Sequence, residues 1–281
     1  MKNLLIPVDF SPQARQAVGV GVSLAAQAGA VVHLLHVIEP IRAHVVLADA
    51  LYVDTSVEDQ FIRRLTDSAK KQLEELSQAH SASAVSIKQH VRVGSLFSVV
   101  QEVAEELKID FLITGTSGAS GLEEILVGSN TERIVRFAPC PVLAVKEGSQ
   151  WDNPQEIVFA SNLQTQQAPA LRFVQQLQHL LQAKLRLVYV NTPGDFISSR
   201  QVHKLKDELL KVVPLDNYDL TIYQDEREDI GIRNFAEDIG CPLIVMTTHQ
   251  RKGISHFLSG SIAEDVVNHA KQMVLTIGLK S

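Results

Sequence analysis

Apolar residues come along this chain in two patterns that alternate: short unbroken runs and longer stripes of helical period. Leu4 to Val8 is an apolar run ending at Asp9, which predicts a short strand buried on both faces. Ser11 followed by Pro12 reads as a helix cap and first turn; Ala14, Ala17, Val18, Gly21, Val22, Leu24 and Ala25 form the stripe until Gly29 stops it. Val31 to Val37 predicts a second strand. The connection from Ile38 to Thr55 is apolar enough to pack down in part, and Ser56 to Gln78 is amphipathic with Phe61, Leu65, Leu73 and Leu76 inward. Val85 to Val91 is a third strand. Gly94-Ser95 opens a helix that buries Leu96, Val99, Val100, Val103, Ala104 and Leu107, and Phe111 to Thr114 is a fourth strand. A helix from near Ser129 and a strand from Val142 to Val145 close the unit. Five strands alternating with four helices predict an α/β unit whose mostly parallel sheet is covered on both faces.

Past residue 147 the pattern restarts. Residues 148–155 are polar apart from Trp151 and carry Gly148 and Pro154, as a linker would. Ile157 to Ser161 repeats the first strand, Pro169 to Leu181 the first helix, Leu185 to Val190 the second strand and Leu220 to Tyr223 the third. Phe235 to Thr248 aligns with Val103 to Thr116, and Leu258 to Val267 with Leu126 to Val135, both at an offset of 132 residues. Chance does not give one offset across two separated blocks with strand, loop and helix in the same order. Residues 1–147 and 156–281 are therefore expected to be two copies of one fold.

The charge balance narrows the function classes. The 281 residues carry 26 basic and 32 acidic side chains, a formal charge of −6, so no general attraction to nucleic acid or an anionic membrane is expected. The longest apolar runs are of strand length, and the N-terminus meets an acid where a signal peptide would continue its apolar core, which points to a cytoplasmic protein. Cys140 and Cys241 each precede a proline at the mouth of a strand and read as buried thiols rather than a disulfide or metal pair. His33 and His36, three apart in a strand, point to opposite faces and cannot share a metal. Glu105-Glu106 and Glu123-Glu124 read as solvated helix faces, and no nucleophile elbow is present. No metal ligands and no catalytic residues are expected.

One loop carries candidate chemistry. After the fourth strand come Gly115, Thr116 and Gly118, then nine residues, then Gly128, Ser129 and Asn130, a spacing of G-x2-G-x9-G-S. It is not a Walker loop, because no lysine follows Gly128, and it sits too late in its unit for the dinucleotide fingerprint. Glycines here would let backbone approach a ligand, and the helix start would offer free N–H groups to an anion; Ser117, Ser120, Ser129 and Thr131 add hydroxyls that a simple turn would not need. Read without the hydroxyls, glycines in such a loop mark a plain turn more often than a phosphate site.

The stretch SGLEEILVGSNTERIVRFAPCPVLAV resembles the last third of a universal stress protein (UspA-type) domain, and the likeness covers the whole chain, more loosely after Trp151. It implies two tandem Rossmann-like domains, each with a five-stranded sheet of order 3-2-1-4-5 flanked by helices and paired with the other through its last strand. In the ATP-binding subgroup, the same glycine and serine spacing holds triphosphate and ribose. There the residue matching Asp9 in VDFS lies near adenine with Pro7 and Val8 beside it, and the residue matching Val37 contacts the base through its backbone. Asp9 read locally is as well explained by capping beside Ser11. The resemblance implies ATP, alone or with Mg²⁺, held by Pro7, Val8, Asp9, Val37, Gly115, Thr116, Gly118, Gly128, Ser129 and Asn130.

The second copy departs from this pattern. Asn162 answers Asp9, Thr247 and Gln250 answer Gly115 and Gly118, and only Gly260-Ser261 is kept, so one adenine nucleotide per chain is expected. No Arg or Lys in the first loop is placed to stabilise a transferring phosphoryl group. The expected function is a nucleotide-binding stress-response or signalling module with an unknown signalling partner and a further homodimer left open. The alternatives are a weak ATPase or nucleotidyl-transferring enzyme, and a structural scaffold.

Overall fold

The computed structural model describes residues 1–40, 55–116, 129–149, 151–249 and 261–279. The first copy runs β1 (Asn3–Pro7), α1 (Pro12–Ala28), β2 (Val31–Ile38), α2 (Thr55–Gln78), β3 (Ile87–Val93), α3 (Leu96–Glu106), β4 (Phe111–Thr116), α4 (Ser129–Phe137) and β5 (Val142–Lys146). The second runs β6 (Glu156–Ala160), α5 (Ala168–Leu181), β7 (Lys184–Asn191), α6 (Ser199–Val212), β8 (Tyr218–Gln224), α7 (Glu228–Asp238), β9 (Leu243–His249), α8 (Ile262–His269) and β10 (Met273–Leu279). The predicted connection after Ile38 lies mostly outside the described residues.

The ten strands among the described residues form one sheet, ordered β3-β2-β1-β4-β5-β10-β9-β6-β7-β8. Each copy is thus a parallel 3-2-1-4-5 sheet, as expected, and the two are joined by one antiparallel pair, β5 with β10. Its register sets Leu275 opposite Leu143, Val274 opposite Ala144 and Thr276 opposite Val142. On the 132-residue offset Leu275 is the counterpart of Leu143, so the pairing is self-complementary about that residue, as at an isologous two-fold interface. It covers the edge that each copy would otherwise leave open.

The strands are apolar throughout because both faces are covered; Leu4, Leu5 and Ile6 are all fully buried. One core, under α1, α2, α5 and α6, takes Ile6, Leu34, Ile113, Phe159 and Leu187; the other, under α3, α4, α7 and α8, takes Leu5, Leu35, Leu112, Val158 and Val188. Each core runs across both copies, and Phe111 of β4 stacks on Phe173 of α5 with ring centroids 5.9 Å apart. The connecting segment lies against α1: Gly148 N donates to Gln16 Oε1 at 3.1 Å and Trp151 Nε1 to Gln27 Oε1 at 3.4 Å.

One expectation fails locally. Leu73 and Leu76 of α2 are buried, but Phe61 is 50% and Leu65 37% exposed. At about 1.5 Å per residue α2 is longer than the strands beneath it, so its first half overhangs the sheet. The apolar reading also passed over α6, although Ser198 and Gln201 form a complete capping box at its start. Among the described residues no helix is long and apolar enough to cross a membrane.

Candidate functional site

In a 3-2-1-4-5 sheet the crossovers leave β1 and β4 toward opposite faces, which opens a crevice at the carboxyl ends of these two strands. A cleft of about 460 Å³ lies there, within the range of small-molecule sites. Pro7, Val8 and Asp9 line it from β1, His36, Val37 and Glu39 from β2, and Thr114, Gly115 and Thr116 from β4. Ser11, Gln13 and Ala14 close one side from the start of α1; Leu96, Thr131 and Ile134 close the other from α3 and α4.

The β1 corner is built by a tight turn. Asp9 Oδ1 accepts from Ser11 N at 3.0 Å, Phe10 takes a left-handed conformation (φ 66°), and Ser11 Oγ caps α1 through Ala14 N at 3.2 Å. The second copy repeats this turn: Asn162 Oδ1 accepts from Gln164 N at 3.1 Å and Leu163 is left-handed (φ 59°). The turn therefore needs one acceptor oxygen and no charge. The local capping role explains an Asp or an Asn equally, and the negative charge of Asp9, in the cleft wall, is surplus to it. Phe10 stacks on His36 with centroids 4.6 Å apart, and His36 Nδ1 donates to Val8 O at 2.7 Å, which ties β1 to β2 beneath the cleft.

The β4 side differs from the expectation in one respect. A Cβ on Gly115 would stand 2.5 Å from the Gln13 carbonyl oxygen and 3.0 Å from Ala14 N. The missing side chain is thus required by the first turn of α1 resting on β4, before any ligand is considered. Thr116 lines the cleft and donates to Val145 O at 3.2 Å. Gly118 and Gly128 lie outside the described residues. Ser129 and Asn130 are the first two residues of α4, so their backbone is at the helix start as predicted, and Thr131 after them faces the cleft.

Three positions that line the first cleft, Val8, Ala14 and Gly115, are matched in the second copy by Ser161, Gln167 and Thr247. Ser161 Oγ donates to Gln167 Oε1, and Gln167 Nε2 donates to Thr247 Oγ1 at 2.9 Å, with Gln167 buried. A hydrogen-bonded chain of side chains fills the corner that small residues leave open in the first copy. At the start of α8, Ser261 Oγ accepts from Glu264 N at 3.2 Å and Ser261 N donates to Glu264 Oε2 at 3.3 Å. Donors that a helix start could offer to an anion are there satisfied from within.

Glu39, His36 and Gln13 line the cleft but were not singled out as ligand contacts from the sequence. Glu39 had a usable signal, an acid immediately after the second strand; the others had none that a core or cap residue would not share. Elsewhere, both cysteines are free, with Cys241 buried and Cys140 half-buried, and burial pushes the Cys140 thiol up to about 12. His33 meets His90 at 3.0 Å rather than His36, and burial, followed by His90, pushes it down to about 4. Among the described residues no three His, Cys, Asp or Glu side chains gather as metal ligands.

Comparison with known proteins agrees with this layout. The universal stress protein family model matches residues 1–146 and again residues 154–278. Universal stress protein A homolog 1 of Coxiella burnetii is 32% identical over 144 residues, which are 51% of this chain and 95% of that protein. A universal stress protein from Archaeoglobus fulgidus is similar in structure across the chain, with a TM-score of 0.80 at 17% identity, covering 99% of this chain and 98% of that one. A protein of unknown function from Pseudomonas aeruginosa PAO1 has a TM-score of 0.63 at 14% identity, covering 99% and 93%. At these identities the two structures speak for the two-copy fold.

Proposed function

The chain belongs to the universal stress protein family, and we propose that its first copy binds one adenine nucleotide, ATP, and acts as a nucleotide-responsive module in a cytoplasmic stress response. The observation that carries this reading is the surplus charge of Asp9. The turn it closes is made as well by Asn162, yet the first copy keeps a carboxylate in the wall of an open cleft. A carboxylate there repels phosphate and accepts from an amino or hydroxyl group, which suits the nucleoside end of the ligand. The phosphates then fall toward the start of α4, where backbone N–H groups and the G-x2-G-x9-G-S loop favour an anion. Pro7, Val8, Asp9, Val37, Gly115, Thr116, Gly118, Gly128, Ser129 and Asn130 are the proposed contacts. With no cluster of metal ligands among the described residues, Mg²⁺ would be held chiefly by the phosphates.

The same lining argues for binding over turnover. It holds no Lys or Arg among the described residues, and neither carboxylate is paired with a nucleophile. Equilibrium titration with ATP and GTP, beside phosphate release, tests the proposal. The expected result is one site per chain, slow release, and an Asp9→Asn variant that loses preference for ATP over GTP more than it loses affinity for triphosphate. Two equal sites, no binding, or rapid turnover would overturn it.

A further inference from the structure

We propose that Glu39 is a second recognition residue of the first cleft, accepting a hydrogen bond from a ribose hydroxyl and so selecting ribonucleotides. The inference rests on the reading of the cleft as an adenine-nucleotide site and deepens it. Glu39 directly follows β2, the strand beside β1, and lines the cleft. One carboxylate oxygen, Oε1, accepts from Leu96 N at 2.8 Å, at the first residue of α3. That bond, made at the positive end of the helix, holds the group oriented. The other oxygen has no hydrogen bond among the described residues, so a donor on a ligand can meet it without displacing the first. An acid at the end of the second strand of an open α/β sheet is well placed to take ribose hydroxyls, because the sugar lies between a base over the strand ends and phosphates at a helix start.

Charge assigns the partner. Asp9 and Glu39 stand at the ends of neighbouring strands, and each has spent one oxygen on a backbone N–H. Phosphate is repelled by both; the amino group of adenine and the ribose diol are the donor groups an adenine nucleotide offers. The second copy shows that the fold does not require this acid. Thr192 follows β7, Asn191 there holds Ile197 through two hydrogen bonds of 2.9 and 3.0 Å, and α7 carries its own acids, Glu228 and Asp229, in its first turn. The first turn of α3 has none, so Glu39 also serves as its cap, and the test must separate the two roles.

Glu39→Gln does so. Its amide oxygen can still accept from Leu96 N, whereas its NH₂ cannot accept from a hydroxyl. Affinities for ATP, 2′,3′-dideoxyATP and inosine triphosphate are measured by equilibrium titration for wild type, Glu39→Gln and Asp9→Asn. Wild type is expected to favour ATP over the dideoxy nucleotide by about tenfold, the effect of one charge-assisted hydrogen bond. In Glu39→Gln that ratio should fall to about twofold or less, with affinity for the dideoxy nucleotide and the ATP-to-inosine ratio little changed. Equal binding of ATP and dideoxyATP by wild type overturns this inference alone. So does an unchanged ratio in Glu39→Gln, a parallel loss for both nucleotides, or a shift in the inosine ratio in its place. Wild type binding none of the three overturns both this inference and the nucleotide reading beneath it.

Discussion

Replacing Gly115 by alanine tests why that glycine is there. The added Cβ would lie 2.5 Å from the carbonyl oxygen of Gln13, 2.6 Å from its carbon and 3.0 Å from Ala14 N. All three atoms are backbone, so no rotamer change relieves the contact; either α1 or the end of β4 must move. The first turn of α1 is held by the Asp9–Ser11 and Ser11–Ala14 hydrogen bonds, and Gly115 is held in register opposite Val145 of β5. Forcing such a shift in a packed interface costs about 1–3 kcal/mol. The second copy has a threonine at this position because its helix start differs: a short 3-10 turn, Thr165–Gln167, precedes α5, and Gln167 bonds the threonine hydroxyl. Trp151 is the sole tryptophan, and its ring nitrogen donates to Gln27 of α1, so its fluorescence reports on this helix. Urea denaturation of the ligand-free chain, read through Trp151, should show a lower midpoint for Gly115→Ala with little change in slope. An unchanged midpoint together with lost nucleotide affinity would refute the packing argument and return the glycine to the ligand.

Two further outcomes concern the join between copies. Lys146 is 2% exposed and donates to the Val267 carbonyl near the end of α8, while burial lowers its pKa from 10.5 to about 8. Since the unfolded chain holds this proton more tightly, stability rises with pH between about 8 and 10.5 and the penalty is fully present below 8; Lys146→Met should remove that slope, worth up to about 3 kcal/mol, as read from urea midpoints at pH 7 and 10, and an unchanged slope would contradict it. Arg136 Nη1 stands 3.4 Å from Glu264 Oε1 without hydrogen-bond alignment, so a double-mutant cycle on the pair should give a coupling of about 0.5–1 kcal/mol, with Glu264→Ala the costlier single change because it also opens the α8 capping box; a coupling near zero would show the ion pair contributes nothing.

What could be read from the sequence follows from how local each determinant is. The buried strands β1, β2, β4 and β5 were legible because a strand covered on both faces must be an apolar run, and the duplication because two blocks share one offset. The exposure of Phe61 and Leu65 was not, since helical period says which side of α2 is apolar and nothing about where the sheet beneath it ends. Of the proposed contacts, Asp9, Val37, Gly115 and Thr116 were picked out through the family resemblance, and all four line one cleft. The reason for Gly115 was not, because the Gln13 carbonyl it rests against comes from a segment about a hundred residues away. His36 was missed for the same cause, since Val8 and Phe10 define its place, whereas Glu39 was visible as an acid after the second strand and only its bond to Leu96 was not.

The self-complementary join explains how the two copies could diverge. A separate copy would expose the edge of its last strand and would need a partner molecule to cover it. Here β5 and β10 cover each other, centred on Leu143 and Leu275, and Lys146 reaches from the first copy to the Val267 carbonyl of the second. The second copy thus contributes half of the central pairing and much of both cores whether or not it holds a ligand. Its cleft corner is then free to be filled by the Ser161–Gln167–Thr247 chain, which satisfies the buried Ser161 and Gln167 and the half-buried Thr247 at once. A buried polar group without a partner is destabilising, whereas a satisfied network rigidifies. Filling the corner therefore strengthens the scaffold that holds the open cleft of the first copy, and the asymmetry of Asp9 and Gly115 against Asn162 and Thr247 is what the proposed division of labour between ligand binding and support would require.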